Sequence, residues 1–108
     1  MTTRASGYSQ APYNSMNLGD HVGDAPDQVA ANRAHLQRTC AMQSVFLQQV
    51  HGAGVVRLDS GLIQASHAPQ APALQADACF TTEPGLACSI MVADCLPVLL
   101  VHTQARIV

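Results

Sequence analysis

The chain has 108 residues, of which 48% are apolar and 11% are charged, and its formal net charge is −2 at pH 7. This length fits one compact domain, and the apolar fraction excludes wholesale disorder. The five basic residues are all scattered arginines, so the slightly acidic balance argues against nucleic acid or an anionic membrane as a partner. No apolar run reaches the length of a membrane span, and the N-terminus lacks the apolar core of a signal peptide.

The first third of the chain predicts an irregular segment followed by one helix. Residues 1–23 are rich in Gly, Ser, Asn and Tyr and show no helical period. Asp24 has the chemistry of a helix N-cap, and Pro26 suits a first turn. An apolar face then recurs at spacings of seven and four residues, formed by Val29, Leu36 and Cys40.

Arg33 lies on the same predicted helix face as these apolar residues. A single arginine in such a place usually extends its stem along the apolar surface and keeps its charged end in water. Alternatively, the guanidinium is paired and holds a neighbouring loop or a substrate. The sequence leaves both interpretations open.

Beyond the helix the pattern changes to a period of two, which predicts strands. Residues 44–51 and 55–58 are expected to form a hairpin around a glycine-rich turn at residues 52–54. Residues 60–75 are mostly Ala, Pro, Gln and Ser and predict a loop excursion.

The last third of the chain is the most apolar and predicts further strands. Residues 78–82 and 87–92 are expected to form a second hairpin around a type II turn at Pro84 and Gly85. Residues 98–102 predict a buried strand, and another strand is expected to begin at Arg106.

The four cysteines are Cys40, Cys79, Cys88 and Cys95, and none lies in a CxxC pair, so a zinc ribbon is disfavoured. Without a signal peptide, a reduced, cytoplasmic state is expected. Cys79 and Cys88 are expected to be core residues, because free cysteine is among the most buried residue types. In the expected hairpin residue 79 faces residue 90, so a disulfide between these two cysteines would require distortion.

His51 and Cys95 are candidate catalytic residues because each ends or interrupts a predicted strand beside Gly or Pro. Imidazole and thiolate are both good zinc ligands, but a catalytic zinc needs a third protein ligand. The same pair could serve as a cysteine nucleophile and its base. Other histidines compete for these roles, namely His21, His35, His67 and His102. His35 is expected on the exposed side of the helix, and His67 in solvent.

Three groups of motifs resemble one known family in their order and spacing. They lie at residues 2–9, 12–19, 21–24 and 32–33; at residues 49–52; and at residues 76–78, 84–85 and 93–100. Together they resemble the laccase-domain or multicopper polyphenol oxidase family, whose members are understood as zinc-dependent purine nucleoside phosphorylases. The resemblance runs over nearly the whole chain.

The resemblance implies an α/β (α+β) fold with a mixed sheet packed with helices. It also implies a metal held by His51, by Cys95 and by the histidine of a His-Ala-Gly-Trp motif. That motif follows the strand expected at Arg106, and the sequence stops at Val108. Residues 1–108 are therefore expected to be the N-terminal part of the family's domain. Four further residues in the motif segments are expected to bind substrate, namely Arg4, Asn17, His21 and Arg33.

The implied reaction is phosphorolysis of adenosine or inosine, with a purine nucleoside and phosphate as partners and zinc as cofactor. Adenosine deaminase and methylthioadenosine phosphorylase side activities are implied as well. An older family label is a copper polyphenol oxidase or laccase. Two alternatives stay open: a cysteine hydrolase of the peptidoglycan-editing type that uses Cys95 and His51, and an inactive fragment or binding half. Self-association, or pairing with a missing C-terminal half, is the expected protein contact.

Overall fold

The computed structural model describes residues 2–68, 71–102 and 104. The chain divides into two compact units, residues 1–42 and residues 43–108. Among the described residues, no helix is long and apolar enough to cross a membrane. The strand expected from Arg106 lies outside the described part of the chain.

The first unit consists of an irregular segment and one helix, α1 (Pro26–Cys40), as predicted. Proline occupies the first helical turn, where its missing N–H leaves no bond unmade. The predicted N-cap is wrong by one residue, because Ala25 holds that position with no side-chain cap. The Asp24 carboxylate instead accepts hydrogen bonds from the Ala25 N–H and from Nδ2 of Asn17.

Asn32 fastens the irregular segment to α1 and is fully buried. Its Oδ1 accepts a hydrogen bond from the Tyr8 N–H at 2.7 Å. Its Nδ2 lies within hydrogen-bond distance of Ser9 Oγ and of the carbonyl oxygens of Ser15 and Asn17, at 2.8, 3.1 and 2.8 Å. One amide therefore satisfies several backbone groups that no strand or helix pairs.

The apolar face predicted for α1 is correct only in its first half. Val29 is buried, Leu36 is half-buried, and Cys40 is exposed, so Cys40 is not a core residue. His35 was expected on the exposed side of the helix, but it is half-buried and packs edge-on against Tyr8, with ring centroids 6.0 Å apart. The irregular segment covers this part of the helix, and a helical period cannot predict that.

The described part of the second unit contains four strands and one short helix. In chain order these are β1 (Gln43–Phe46), β2 (Val55–Leu58), α2 (Ser60–Ser66), β3 (Ala78–Thr81) and β4 (Leu86–Ser89). β1 pairs with β4 and β2 pairs with β3, both in parallel, and β3 and β4 also contact each other. Helices combined with parallel strands confirm the expected α/β class.

Both predicted hairpins are wrong, although the strands lie close to their predicted positions. β2 reaches β3 through α2, and such a crossover is how a chain joins two parallel strands. The turn between β3 and β4 does form, since Gly85 has a φ of 87° and the Leu86 N–H donates to the Glu83 carbonyl at 3.5 Å. The strands on either side of that turn hydrogen-bond to different partners.

The predicted loop at residues 60–75 is wrong over its first half, which forms α2. Asp59 is the N-cap, and its carboxylate accepts a hydrogen bond from the Leu62 N–H at 2.8 Å, a contact worth about 1 kcal/mol in helices. Ile63 turns into the core of the unit and is 5% exposed. The segment is too short and too rich in small residues to show a helical period.

The core of the second unit is a small cluster formed by Val45, Leu47, Leu58, Ile63 and Ala76. Cys79 and Cys88 are partly buried and pack against it. The buried strand predicted at residues 98–102 is wrong, because Val98, Leu99 and Leu100 are 75–79% exposed and form no strand. The apolar pattern is present, but nothing in the described part of the chain covers it.

Replacing Asn32 with leucine tests its role in the first unit. Leucine has a similar volume but makes no hydrogen bonds. It would therefore leave the partners of Asn32 without their hydrogen bonds at a position that water reaches poorly. We expect Asn32→Leu to lower the free energy of unfolding by about 2–3 kcal/mol in urea denaturation. Gln37→Leu on the exposed side of α1 is the matched control and should change it by less than about 0.5 kcal/mol. Equal effects of the two variants would contradict this role.

Candidate functional site

The two candidate metal ligands follow the carboxyl ends of two paired parallel strands. His51 lies a few residues beyond the end of β1, and Cys95 a few residues beyond the end of β4. Because β1 and β4 run in parallel, with Val45 opposite Cys88, their carboxyl ends share one edge of the sheet. Segments that leave such an edge commonly form binding sites in α/β proteins.

His51 itself is exposed and has an unusual backbone conformation, with a φ of 58°. Its N–H and the N–H groups of Val50 and Gly52 all donate to the Asp77 carboxylate, at 2.7–2.9 Å. These bonds, foremost that from the Gly52 N–H, lower the pKa of Asp77 below its ordinary value. Asp77 is therefore ionised at neutral pH and fixes the loop that carries His51.

Gln49 joins this loop to the segment that leads to Cys95. Its side-chain Nε2 donates to the Met91 carbonyl at 3.1 Å, and its Oε1 accepts from the Met91 N–H at 2.9 Å. The side-chain amide thus exchanges two hydrogen bonds with one backbone residue, as paired residues of neighbouring strands do. Gln48 also forms a parallel bridge with Gln75, so the residues beyond β1 stay connected to neighbouring segments.

Cys95 is exposed, and its Sγ lies 4.0 Å from Oδ1 of Asp94. One imidazole and one thiol suit zinc by their chemistry, but they are two ligands, and a protein zinc site uses at least three. Among the described residues, no group of three His, Cys, Asp or Glu side chains could hold a metal ion. The donor set fits part of a zinc site, with at least one ligand still to be supplied.

Of the four residues expected to bind substrate, three have intramolecular hydrogen-bond partners in the first unit. Arg4 donates through Nε and one terminal nitrogen to the Asn14 carbonyl, at 3.0 and 2.9 Å. The Asn17 side chain bonds to both the N–H and the carbonyl of Gly19. The substrate-binding role of these residues stays a prediction.

Arg33 holds a neighbouring loop, which was one of the two interpretations its position left open. Its Nε donates to the Leu18 carbonyl at 2.9 Å, and its guanidinium lies 3.2 Å from the Asp20 carboxylate. Partial burial acts to raise the pKa of Asp20, but the Arg33 charge and the hydrogen bonds to the carboxylate together outweigh it, so the pKa is lowered. The remaining candidate, His21, is exposed, with Nδ1 3.7 Å from Asp20.

Cys79 and Cys88 lie on β3 and β4, and neither forms a disulfide within the described part of the chain. Burial, reinforced by the neighbouring Cys88 thiol, raises the pKa of Cys79 to about 12. A thiol with this pKa carries almost no thiolate at neutral pH, so Cys79 is a poor nucleophile. Its environment agrees with the expected role in the core.

The roles of Asp77 and Gln49 were not predicted, although both stand in the motifs at residues 76–78 and 49–52. A single aspartate just before β3 and a single glutamine just after β1 have no sequence pattern that would predict these contacts. The available signal was the position of each motif beside a glycine-flanked histidine or at a strand boundary. Their bonds join residues 25–42 positions apart, and such pairings become visible only in the fold.

Known proteins resemble this chain over nearly its whole length. A family model described as multi-copper polyphenol oxidoreductase laccase matches residues 1–108. A Corynebacterium glutamicum protein named purine nucleoside phosphorylase is 45% identical over 111 residues, which cover 99% of this chain and 43% of that protein. A Pseudomonas aeruginosa protein of the same name is 44% identical over 99 residues, which cover 92% of this chain and 37% of that protein.

A solved structure shares the fold. The crystal structure of YlmD from Geobacillus stearothermophilus matches with a TM-score of 0.83 at 33% identity, covering 98% of this chain and 41% of that chain. The chain therefore spans about two fifths of the length of the relatives that it matches.

Alkylation rates distinguish the core thiols from the exposed ones. With its pKa raised to about 12, Cys79 should react with iodoacetamide at pH 8 at least ~100-fold more slowly than Cys95 or Cys40. Peptide mass spectrometry over a time course measures each rate, and the same reaction in denaturant provides the reference in which all four react alike. If Cys79 in the native protein reacted as fast as Cys95, its raised pKa and partial burial would be wrong.

Proposed function

Because this chain belongs to the multi-copper polyphenol oxidoreductase laccase family, we propose that the complete protein is a zinc-dependent purine nucleoside phosphorylase. The observation that carries the reaction type is the 45% identity, over 99% of this chain, to a protein of that name. The metal part of the proposal is supported by the position of His51 and Cys95 after the paired strands β1 and β4.

Phosphorolysis of a nucleoside exchanges one bond at C1′ of the ribose. A phosphate oxygen forms a bond to C1′, the bond from C1′ to the purine nitrogen breaks, and its electron pair leaves with the base. The reaction needs donors for the phosphate anion and stabilisation of the departing purine. Zinc, when bound, supplies a Lewis acid that polarises a ligand or lowers the pKa of bound water.

Within the second unit, His51 would bind zinc as the neutral imidazole and Cys95 as the thiolate. The Cys95 thiol must lose its proton to do so, so metal binding should weaken as the pH falls. Both side chains are exposed here, so they are accessible to a metal and to further ligands. The third ligand is proposed to come from the polypeptide that the relatives possess beyond the matched part.

Within the first unit, Arg4, Asn17, His21 and Arg33 are proposed to serve the nucleoside and the phosphate. Arg4 is exposed, and a guanidinium has five N–H donors, of which the bonds to Asn14 use only part. Arg33 and Asn17 are occupied by the loop at residues 17–24, so their contribution would be to fix that loop. His21 is exposed on the same loop.

We also propose a cytoplasmic location. We propose further that the exposed apolar residues 96–101 are covered in the complete protein by the polypeptide that the relatives possess beyond the matched part.

Adenosine deamination and methylthioadenosine phosphorolysis are proposed as side activities of the same centre. A copper-dependent phenol oxidation agrees with the family's description, and a peptidoglycan-directed cysteine hydrolase would use the same two residues. Metal content separates these, because only the hydrolase needs no metal.

The proposal predicts one zinc per complete protein, and phosphate-dependent release of hypoxanthine from inosine and adenine from adenosine. His51→Ala and Cys95→Ala should each remove the zinc and lower kcat/KM by more than ~100-fold, since losing a ligand costs more than losing a residue that only orients one. Elemental analysis and chromatography of the bases measure both quantities.

The matched controls are His67→Ala and Cys40→Ala, which remove an exposed histidine and an exposed cysteine elsewhere in the chain. Both should retain zinc and activity. A metal-free protein that is inactivated by alkylation of Cys95 and releases no base would favour the cysteine hydrolase. Stoichiometric copper with phenol oxidation would favour the older family label.

A further inference from the structure

The Asp77 carboxylate receives three consecutive backbone N–H groups. Oδ1 accepts from Val50 at 2.9 Å and from His51 at 2.7 Å, and Oδ2 accepts from Gly52 at 2.9 Å. Consecutive N–H groups that converge on one anion form a nest, and bonds to an ionised acceptor are about twice as strong as neutral ones. Here the anion in the nest is the protein's own carboxylate.

These bonds explain how His51 keeps its left-handed backbone. A φ of 58° is uncommon for a residue with a Cβ atom and persists only where surrounding contacts enforce it. The three N–H groups point at one carboxylate only while the chain turns at His51. A Cβ at position 52 would come within 3.3 Å of Oδ2 of Asp77, so glycine lets the carboxylate approach. Asp77 therefore selects the conformation that sets the direction of the histidine side chain.

Gln49 forms a second connection, which joins this loop to the segment after β4. Its amide exchanges two hydrogen bonds with the backbone of Met91, at 2.9 and 3.1 Å, and it is half-buried. Met91 lies between β4 and Cys95, whereas Gln49 lies between β1 and His51. The side chain thus extends the β1–β4 pairing toward the two candidate ligands.

We infer that Asp77 and Gln49 are positioning residues for the candidate metal centre. Asp77 fixes the backbone of His51, and Gln49 fixes the distance between the segments that carry His51 and Cys95. This inference rests on the proposed function. Neither residue binds the metal; both reduce the number of conformations that the ligands must give up when a zinc ion binds, so losing either should weaken zinc binding.

The test measures zinc affinity of the complete protein by competition with a chromogenic chelator. Asp77→Ala and Gln49→Ala should each raise the zinc dissociation constant by about 10- to 100-fold. Asp77→Asn keeps the shape and one acceptor oxygen, and should raise it by only about fivefold. If the alanine variant does not fold, Asp77→Asn and Gln49→Glu are the variants that decide.

Asp59→Ala is the matched control, since it also removes a carboxylate that accepts a backbone N–H in the second unit. It should lower the melting temperature but leave zinc affinity within about twofold of the parent protein. Excess zinc should restore kcat for inosine in Asp77→Ala, because the ligands themselves are intact. A purely structural role would give no such rescue and no change in affinity beyond that of the control.

The outcomes separate the inference from the proposed function. If His51→Ala and Cys95→Ala remove zinc while Asp77→Ala and Asp77→Asn bind it as tightly as the control, the positioning role is wrong and the metal centre stands. If His51→Ala and Cys95→Ala bind zinc as the parent protein does, the proposed centre is wrong and the inference falls with it.

Discussion

The parallel pairing of β1 with β4 is the constraint on which the candidate site depends. In a parallel pair both carboxyl ends reach the same edge, so the segments that follow, with His51 and Cys95, leave the sheet on one side. An antiparallel pair would have sent these segments to opposite ends. The crossover through α2 makes the second pairing, of β2 with β3, parallel as well. The direction of the strands thus decides whether the two residues can act together.

Single polar side chains hold the irregular segments that flank these strands and helices. Asn32 fastens the segment before α1, and Asp77 and Gln49 fasten the segments beyond β1 and β4. Each bonds to backbone groups that no helix or strand pairs. Because each of these side chains bonds to several backbone groups at once, one polar side chain can fix a segment that carries little apolar surface. The loops that carry the candidate residues are therefore ordered mainly by polar contacts.

The sequence predicted the elements whose signals are local. α1 has a proline in its first turn and enough length for a helical period. Alternating residues marked β1 and β2, and apolar runs on either side of a turn marked β3 and β4. A period of two says that a strand forms but does not name its partner, so both hairpins were wrong. α2 was missed because seven residues with one buried side chain show no period.

The candidate site was only partly predictable for the same reason. His51 and Cys95 stood out because each interrupts a strand pattern beside Gly or Pro, and because their motifs resemble those of a family. The burial of Asn32 and the bonds of Asp77 depend on partners that lie between 15 and 27 positions away in the chain. Residues 98–101 have the pattern of a buried strand, and their exposure reflects which neighbours are present rather than their own chemistry.

X-ray absorption at the zinc edge of the complete protein tests most directly whether one metal joins His51 and Cys95. A zinc ion bound by both residues should show a shell with one sulfur at about 2.3 Å and nitrogen or oxygen ligands at about 2.0–2.1 Å. Cys95→Ser should remove the sulfur contribution, and Cys40→Ser should leave it in place. A shell without sulfur in the parent protein, or a sulfur that persists in Cys95→Ser, would show that Cys95 does not bind the metal.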